Sequence, residues 1–135
     1  MTKYLVAYAA IALVMVALDL LWLGVIAKPL YQQGIGHLMS ERPNIAVAVL
    51  FYLVYAVGLV VFALALQPAG APWSRTLAAA ALFGFFCYAT YDLTNLATLK
   101  GWPIGMSLAD MAWGVVVSTV SAAAGKAALD RFPMM

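Results

Sequence analysis

Three of the five acidic residues in the sequence, Asp19, Asp92 and Asp110, fall inside or at the edge of long apolar segments. No lysine or arginine does so away from a segment end. An ionised aspartate at the centre of a membrane helix costs about 2.5 to 3.5 kcal/mol on insertion scales, so such a residue must be protonated, paired or hydrated. Carboxyl groups at this depth mark functional sites by default, and these three are the first candidates for chemistry.

Two of these carboxyl groups are predicted to lie at one depth. Asp19 precedes the end of its apolar segment, near Ile26, by seven residues, and Asp92 precedes the end near Leu99 by seven. At a helical rise of about 1.5 Å per residue, both lie roughly 10 Å below the same membrane surface. Tyr52 reaches a similar depth from the start of its own segment. The spacing predicts that two carboxyl groups and a phenol meet in one layer.

The role of Asp110 depends on where its helix begins. A start near Ile104 puts Asp110 roughly 9 Å deep, in the same layer as Asp19. With Ser107 as the N-cap, Ser107 to Asp110 instead forms a capping box, in which the carboxylate binds backbone donors at the positive end of the helix. The sequence leaves both roles open.

Aromatic and amide side chains flank the aspartates at helical spacing. Residues three or four positions apart share a helix face, and each aspartate has such a neighbour one turn away. A helix that faced only lipid would not need this polar stripe. The candidate ligand-binding residues are Asp19, Trp22, Tyr52, Tyr88, Tyr91, Asp92, Asn95, Asp110 and Trp113.

The composition excludes most other classes of protein. Of the 135 residues, 67% are hydrophobic and 9% are charged, whereas about a quarter of the residues of a soluble domain are charged. Disorder requires low hydrophobicity and high net charge, and the net charge here is +2. The seven lysine and arginine residues are scattered singly, which argues against nucleic-acid binding. An integral membrane protein remains.

Four apolar segments are long enough to cross a bilayer, which takes about 20 residues each. They predict an all-α membrane protein, with 1–135 as a single transmembrane domain and helices at about 4–26, 45–66, 76–99 and 104–124. Short loops favour an up-down bundle. The first segment is too long for the apolar region of a signal peptide, so we expect it to be retained.

The basic residues between the segments predict the orientation weakly. Four of them (Lys3, Arg75, Lys126 and Arg131) lie on one side and three (Lys28, Arg42 and Lys100) on the other. The positive-inside rule then predicts that both termini lie in the cytoplasm. Dual topology, in which copies insert both ways and pair antiparallel, stays open.

Small residues recur at intervals of four in the last two segments. Close packing of such residues drives helix association in lipid, and the spacing is typical of seams between neighbouring helices or between subunits of a homo-oligomer. The residues concerned are Ala80, Gly84, Gly114, Ser118 and Ala122.

Catalytic and metal-binding patterns are missing from the sequence. It has no paired-histidine metal motif, nucleophile elbow or glycine-rich phosphate loop, so an enzyme is not indicated and no cofactor is implied. His37 lies in a glycine-containing loop, where a solvated histidine is expected. Cys87, the one cysteine, is expected to be a small buried hydrophobe.

The stretch Tyr88-Ala-Thr-Tyr91-Asp92-Leu-Thr-Asn95, with Trp102-Pro following, closely resembles a bacterial membrane-protein family catalogued as domain of unknown function 2177. The surroundings of Asp19, Tyr52 and Asp110 fit that family too, so the resemblance covers nearly the whole chain. The family has no established activity, and the resemblance assigns no catalytic role. Its genes often lie beside those of cyclopropane-fatty-acid-synthase-like methyltransferases and flavin-dependent lipid-modifying enzymes, which implies a link to membrane-lipid chemistry.

Three functions follow as hypotheses. The first is a lipid-associated binding or accessory protein whose helices enclose a polar pocket. The second is a proton- or cation-coupled transporter of a small solute, acting as a homodimer, in which Asp19 or Asp92 exchanges a proton. The third is a purely structural role, in which the aspartates hydrogen-bond neighbouring helices; such bonds average only about 0.6 kcal/mol in membrane proteins.

Overall fold

A computed structural model describes residues 2–132, which fold into helices and loops with no strand among them. The helices are α1 (Thr2–Ile26), α2 (Lys28–Ile35), α3 (Ile45–Ala65), α4 (Trp73–Thr98) and α5 (Ile104–Arg131). Within the described residues, α1, α3, α4 and α5 are long and apolar enough to span a membrane. The predicted all-α, four-span membrane bundle is confirmed.

Prolines and glycines set several helix boundaries. Pro72 precedes α4 and Pro103 precedes α5, where a residue with no backbone N–H suits a helix start. Helix α4 therefore begins three residues before the predicted Thr76. Gly101 turns the chain between these helices with φ 72°, a conformation that glycine adopts without strain. Helix α5 continues to Arg131, seven residues beyond the predicted end.

The capping-box interpretation of Asp110 is wrong. Helix α5 already begins at Ile104, so Ser107 lies inside its first turn, and the Ser107 hydroxyl donates to the Pro103 carbonyl oxygen at 2.8 Å. Asp110 is two turns into the helix and only 8% exposed. Of the two roles that the sequence left open, the structure therefore supports a place in the buried polar layer.

Sequence reasoning treated the region between the first two spans as a loop, but it contains α2. Pro29 stands at the start of this eight-residue helix, where its fixed φ is already helical. Gly34 brings α2 against the start of α5, because a Cβ there would lie 2.8 Å from Pro103 Cγ and 3.3 Å from Met106 Sδ. Helix α2 thereby covers one end of the bundle.

Helices α4 and α5 pack closely through their small residues. A Cβ on Gly84 would overlap the Gly114 carbonyl oxygen and the Ser118 side chain, and a Cβ on Gly114 would overlap the Tyr88 ring. Ala80 and Ala122 are fully buried. The small-residue faces thus pack within one chain. Association of copies stays a prediction, and it would need another surface.

Helix α3 is the most peripheral of the spans. It packs on α1, and its C-terminal part, Val60–Ala65, packs on α4 and α5. Gly58 lets the Phe83 ring approach the α3 backbone, and Phe62 stacks on the same ring. Nearer its N-terminus α3 makes few contacts with α4. This divergence leaves space inside one half of the bundle.

Candidate ligand-binding site

The carboxyl group of Asp19 joins three helices. One oxygen accepts a hydrogen bond from the Tyr52 hydroxyl of α3 at 2.8 Å, and the other accepts one from Trp113 Nε1 of α5 at 2.7 Å. Asp19 is only 4% exposed, so protein donors replace the water it lacks. The structure thus brings Asp19 and Tyr52 together.

Asp110 has a hydrogen-bonding partner that the sequence did not indicate. The Tyr31 hydroxyl of α2 donates to Asp110 Oδ1 at 2.5 Å and accepts from Trp22 Nε1 at 3.1 Å. Burial and the bond to Asp110 raise the pKa of Tyr31 above the ordinary phenol value, so the hydroxyl keeps its proton and donates. Tyr31 is not among the residues that the sequence predicted for the site.

Asp92 is the least satisfied polar side chain of the layer. It is fully buried, and neither carboxyl oxygen has a hydrogen-bond donor among residues 2–132. Its nearest acidic neighbour is Asp110. Tyr88 of α4 packs against Gly114 of α5, and the two helices run antiparallel. Asp92, one turn after Tyr88, therefore lies opposite Asp110, one turn before Gly114. Two carboxyl groups therefore lie side by side in the interior.

A cavity of about 610 Å³ lies beside these carboxyl groups, and every helix contributes to its wall. Most of its surface is aromatic or aliphatic, and its polar atoms come from carboxyl and hydroxyl groups. The lining residues are Asp19, Leu23, Tyr31, Ile35, Ala48, Phe51, Tyr52, Tyr55, Cys87, Tyr88, Tyr91 and Asp110.

The cavity opens sideways between α3 and α4. Three of its lining residues are half-exposed: Leu23 on α1 (47%), Phe51 on α3 (44%) and Tyr91 on α4 (53%), and the last two stand on the helices that diverge here. Deeper in the bundle Tyr55 closes the gap, with its ring 5.2 Å from Phe83 and 6.2 Å from Tyr88. In a membrane the opening would face acyl chains rather than water.

The charges around the cavity are of one sign. Asp19 and Asp110 line it, and among the described residues no lysine, arginine or histidine does. His37 is exposed on the far side of α2, as expected of a solvated loop histidine. In the described part of the chain, no group of three or more His, Cys, Asp or Glu side chains could hold a metal ion.

The remaining predicted residues take different positions. Trp22 and Trp113 lie behind the lining and donate to lining residues, whereas Asn95 lies outside the cavity. Sequence reasoning missed Tyr55, whose hydroxyl is 2.7 Å from Ser118 Oγ. Tyr55 is three residues after Tyr52 on one helix face, and this spacing was the available signal.

A four-span helical membrane protein with a laterally open, acidic and aromatic cavity is the class that this geometry defines. The chain belongs to the family described as predicted membrane protein, domain of unknown function 2177, whose model matches residues 4–127. No curated protein and no solved structure matches it.

Proposed function

We propose that the protein binds a membrane lipid, or a lipid-like amphiphile, through the cavity between α3 and α4, as an accessory to membrane-lipid modification. The observation that carries this proposal is the lateral opening at Phe51 and Tyr91. A solute from water would have to pass α2, which covers that end of the bundle, whereas an acyl chain already lies beside the gap.

The cavity has the size and composition of a ligand site. Its volume of about 610 Å³ falls within the range of about 300 to 1,000 Å³ that is usual for small-molecule pockets. An apolar wall with a few convergent polar groups is also typical of such pockets. By helix rise, Asp19 lies roughly 10 Å below the end of its apolar segment, among the acyl chains of one leaflet, so a lipid's polar end would have to enter the bundle to reach it.

The orientation of the protein in the membrane decides which leaflet the cavity meets. With both termini in the cytoplasm of a bacterium, the cavity opens into the outer leaflet of the inner membrane. The distribution of basic residues supports this orientation only by four against three, so it needs its own test. In cells that lack other reactive cysteines, a His37→Cys substitution in a Cys87→Ala background should be labelled by a membrane-impermeant maleimide. Labelling only after lysis would reverse the orientation.

Bromine-labelled lipid tests the binding itself. Bromine quenches tryptophan fluorescence at contact range, and Trp22 and Trp113 lie directly behind the cavity wall. In a Trp73→Phe/Trp102→Phe background, nanodiscs with brominated acyl chains should quench this pair. Ala48→Phe should relieve the quenching because Ala48 lines the cavity. Ala46→Phe, two residues away on the exposed face of α3, is the matched control. Equal quenching in both variants would contradict lipid entry.

Proton-coupled transport is the second candidate, and the unpartnered carboxyl group of Asp92 favours it. A buried acid with no donor is suited to taking up and releasing a proton as access alternates. Proteoliposomes with an internal pH dye test this role: a candidate solute should drive proton movement that Asp92→Asn abolishes. Undiminished flux in a folded Asp92→Asn variant would remove Asp92 from the mechanism.

A further inference from the structure

We infer that the polar end of the occupant is a protonated amine. This inference rests on the proposed binding function and names the chemical class that the cavity selects. Three buried carboxyl groups, two of them on the cavity wall, meet an aromatic lining, and no lysine, arginine or histidine of the described residues lines the cavity to balance them.

The carboxyl groups of the site offer more hydrogen-bond acceptors than the surrounding side chains have donors. Asp19 already accepts from Tyr52 and Trp113, and Asp110 accepts from Tyr31 on one oxygen. As carboxylates, Asp92 has no donor on either oxygen and Asp110 accepts only on Oδ1 among the described residues, and the two acids can bond to each other only when one of them holds a proton. An ammonium group brings up to three N–H donors and no acceptor. It therefore supplies donors to Asp110, which lines the cavity, whereas Asp92 lies behind the lining.

Asp92 adds a buried acid without a hydrogen-bond donor next to Asp110. It is fully buried and unpartnered, beside a carboxyl group that reaches the cavity. Leaving a buried polar group unsatisfied costs about 1 to 3 kcal/mol, and more for a charged one. A cation bound at Asp110 would offset the unfavourable proximity of the two acids, which a neutral occupant cannot do.

The aromatic lining favours the same ligand. The cavity that Asp110 lines is also lined by Phe51, Tyr52, Tyr55, Tyr88 and Tyr91. A cation over an aromatic face gains about 0.5 to 1 kcal/mol at exposed sites and about 2 kcal/mol or more when desolvated. A phosphate would instead meet carboxylates and ring faces of negative potential. The site thus selects against the commonest lipid anion.

Three amphiphiles with one chain length test the inference: dodecylamine, dodecanol and dodecyl phosphate. Each is titrated at pH 7 into the full-length Trp73→Phe/Trp102→Phe protein in nanodiscs, with empty nanodiscs as the reference, and binding is followed by displacement of brominated lipid from Trp22 and Trp113. We expect dodecylamine to bind about tenfold or more tighter than dodecanol, and dodecyl phosphate to bind weakest. Equal binding of amine and alcohol, or tighter binding of the phosphate, would overturn the inference.

A pair of variants assigns the preference to the site. Asp110→Asn should bring dodecylamine binding close to that of dodecanol. Asp130→Asn should leave it unchanged, because Asp130 pairs with Lys126 at the opposite end of the bundle. An unchanged amine preference in Asp110→Asn would also contradict the inference. The comparison of the three ligands in the Trp73→Phe/Trp102→Phe protein, with its site residues intact, decides the matter even if a site variant does not fold.

The two proposals can fail separately. Cavity-dependent quenching by brominated lipid without any amine preference would leave lipid binding intact and remove the amine. Absence of cavity-dependent quenching would remove lipid binding and, with it, the amine inference that rests on it.

Discussion

Trp22 and Trp113 stack face to face, with ring centroids 4.6 Å apart and ring planes within 3° of parallel. Trp22 opens the wide π-helical turn at the end of α1, and Trp113 lies two to three turns into α5. Each indole N–H leaves the stack in a different direction, one to the Tyr31 hydroxyl and one to Asp19. The stack therefore joins the hydrogen bonds of Asp19 to those of Asp110.

The first prediction concerns Asp19 as the acceptor between helices. Asp19→Ala leaves the Tyr52 hydroxyl and Trp113 Nε1 without an acceptor, at about 1 to 3 kcal/mol for each buried donor. Asp19→Asn keeps one acceptor oxygen and should lose about half as much. Thermal unfolding in mild detergent, followed by circular dichroism, should give the order wild type, Asn, Ala. An alanine variant as stable as the wild type would show that these bonds contribute little.

The second prediction concerns the contact of α4 with α5. Gly84→Ala places a methyl group against the Gly114 backbone, which cannot move aside as a flexible side chain would. Overpacking of this kind costs about 1 to 3 kcal/mol, so the unfolding temperature should fall. Gly105→Ala, on the partner helix α5, is the control, because nothing lies within 4 Å of a Cβ there. Equal stability of the two variants would contradict the close packing.

The third prediction concerns α2 as the support of Tyr31. Gly34→Ala pushes against the Pro103 ring and should lift α2, weakening the bond from Tyr31 to Asp110. Gly36→Ala meets nothing within 4 Å and has a helical φ of −54°, so it is the matched control. We expect faster amide exchange across Lys28–Ile35 in Gly34→Ala only, measured by mass spectrometry. Unchanged exchange would mean that α2 does not depend on this contact.

The sequence predicted the spans and the shared depth of Asp19 and Tyr52, because long apolar runs and helical rise determine both. It could not predict the Tyr31 contact. That contact depends on α2, a short amphipathic helix with too few apolar residues to be recognised as a membrane span. It also could not decide how deep Asp110 lies, because Pro103 and Ser107 both fit a helix start and tertiary packing selected the earlier one.

The fourth prediction is that replacing aspartate with asparagine stabilises the fold at position 92 and destabilises it at position 19. Asp92→Asn replaces an unpartnered carboxyl group with an amide that can donate to the neighbouring Asp110. It should stabilise the fold by about 0.5 to 1.5 kcal/mol, the usual net value of one hydrogen bond, whereas Asp19→Asn destabilises it. Unfolding temperatures of both variants under the same conditions test this contrast. A gain in stability at Asp92 means that the native acid is costly to the fold, as is usual for residues retained for function. A loss at both positions would instead mean that Asp92 supports the structure.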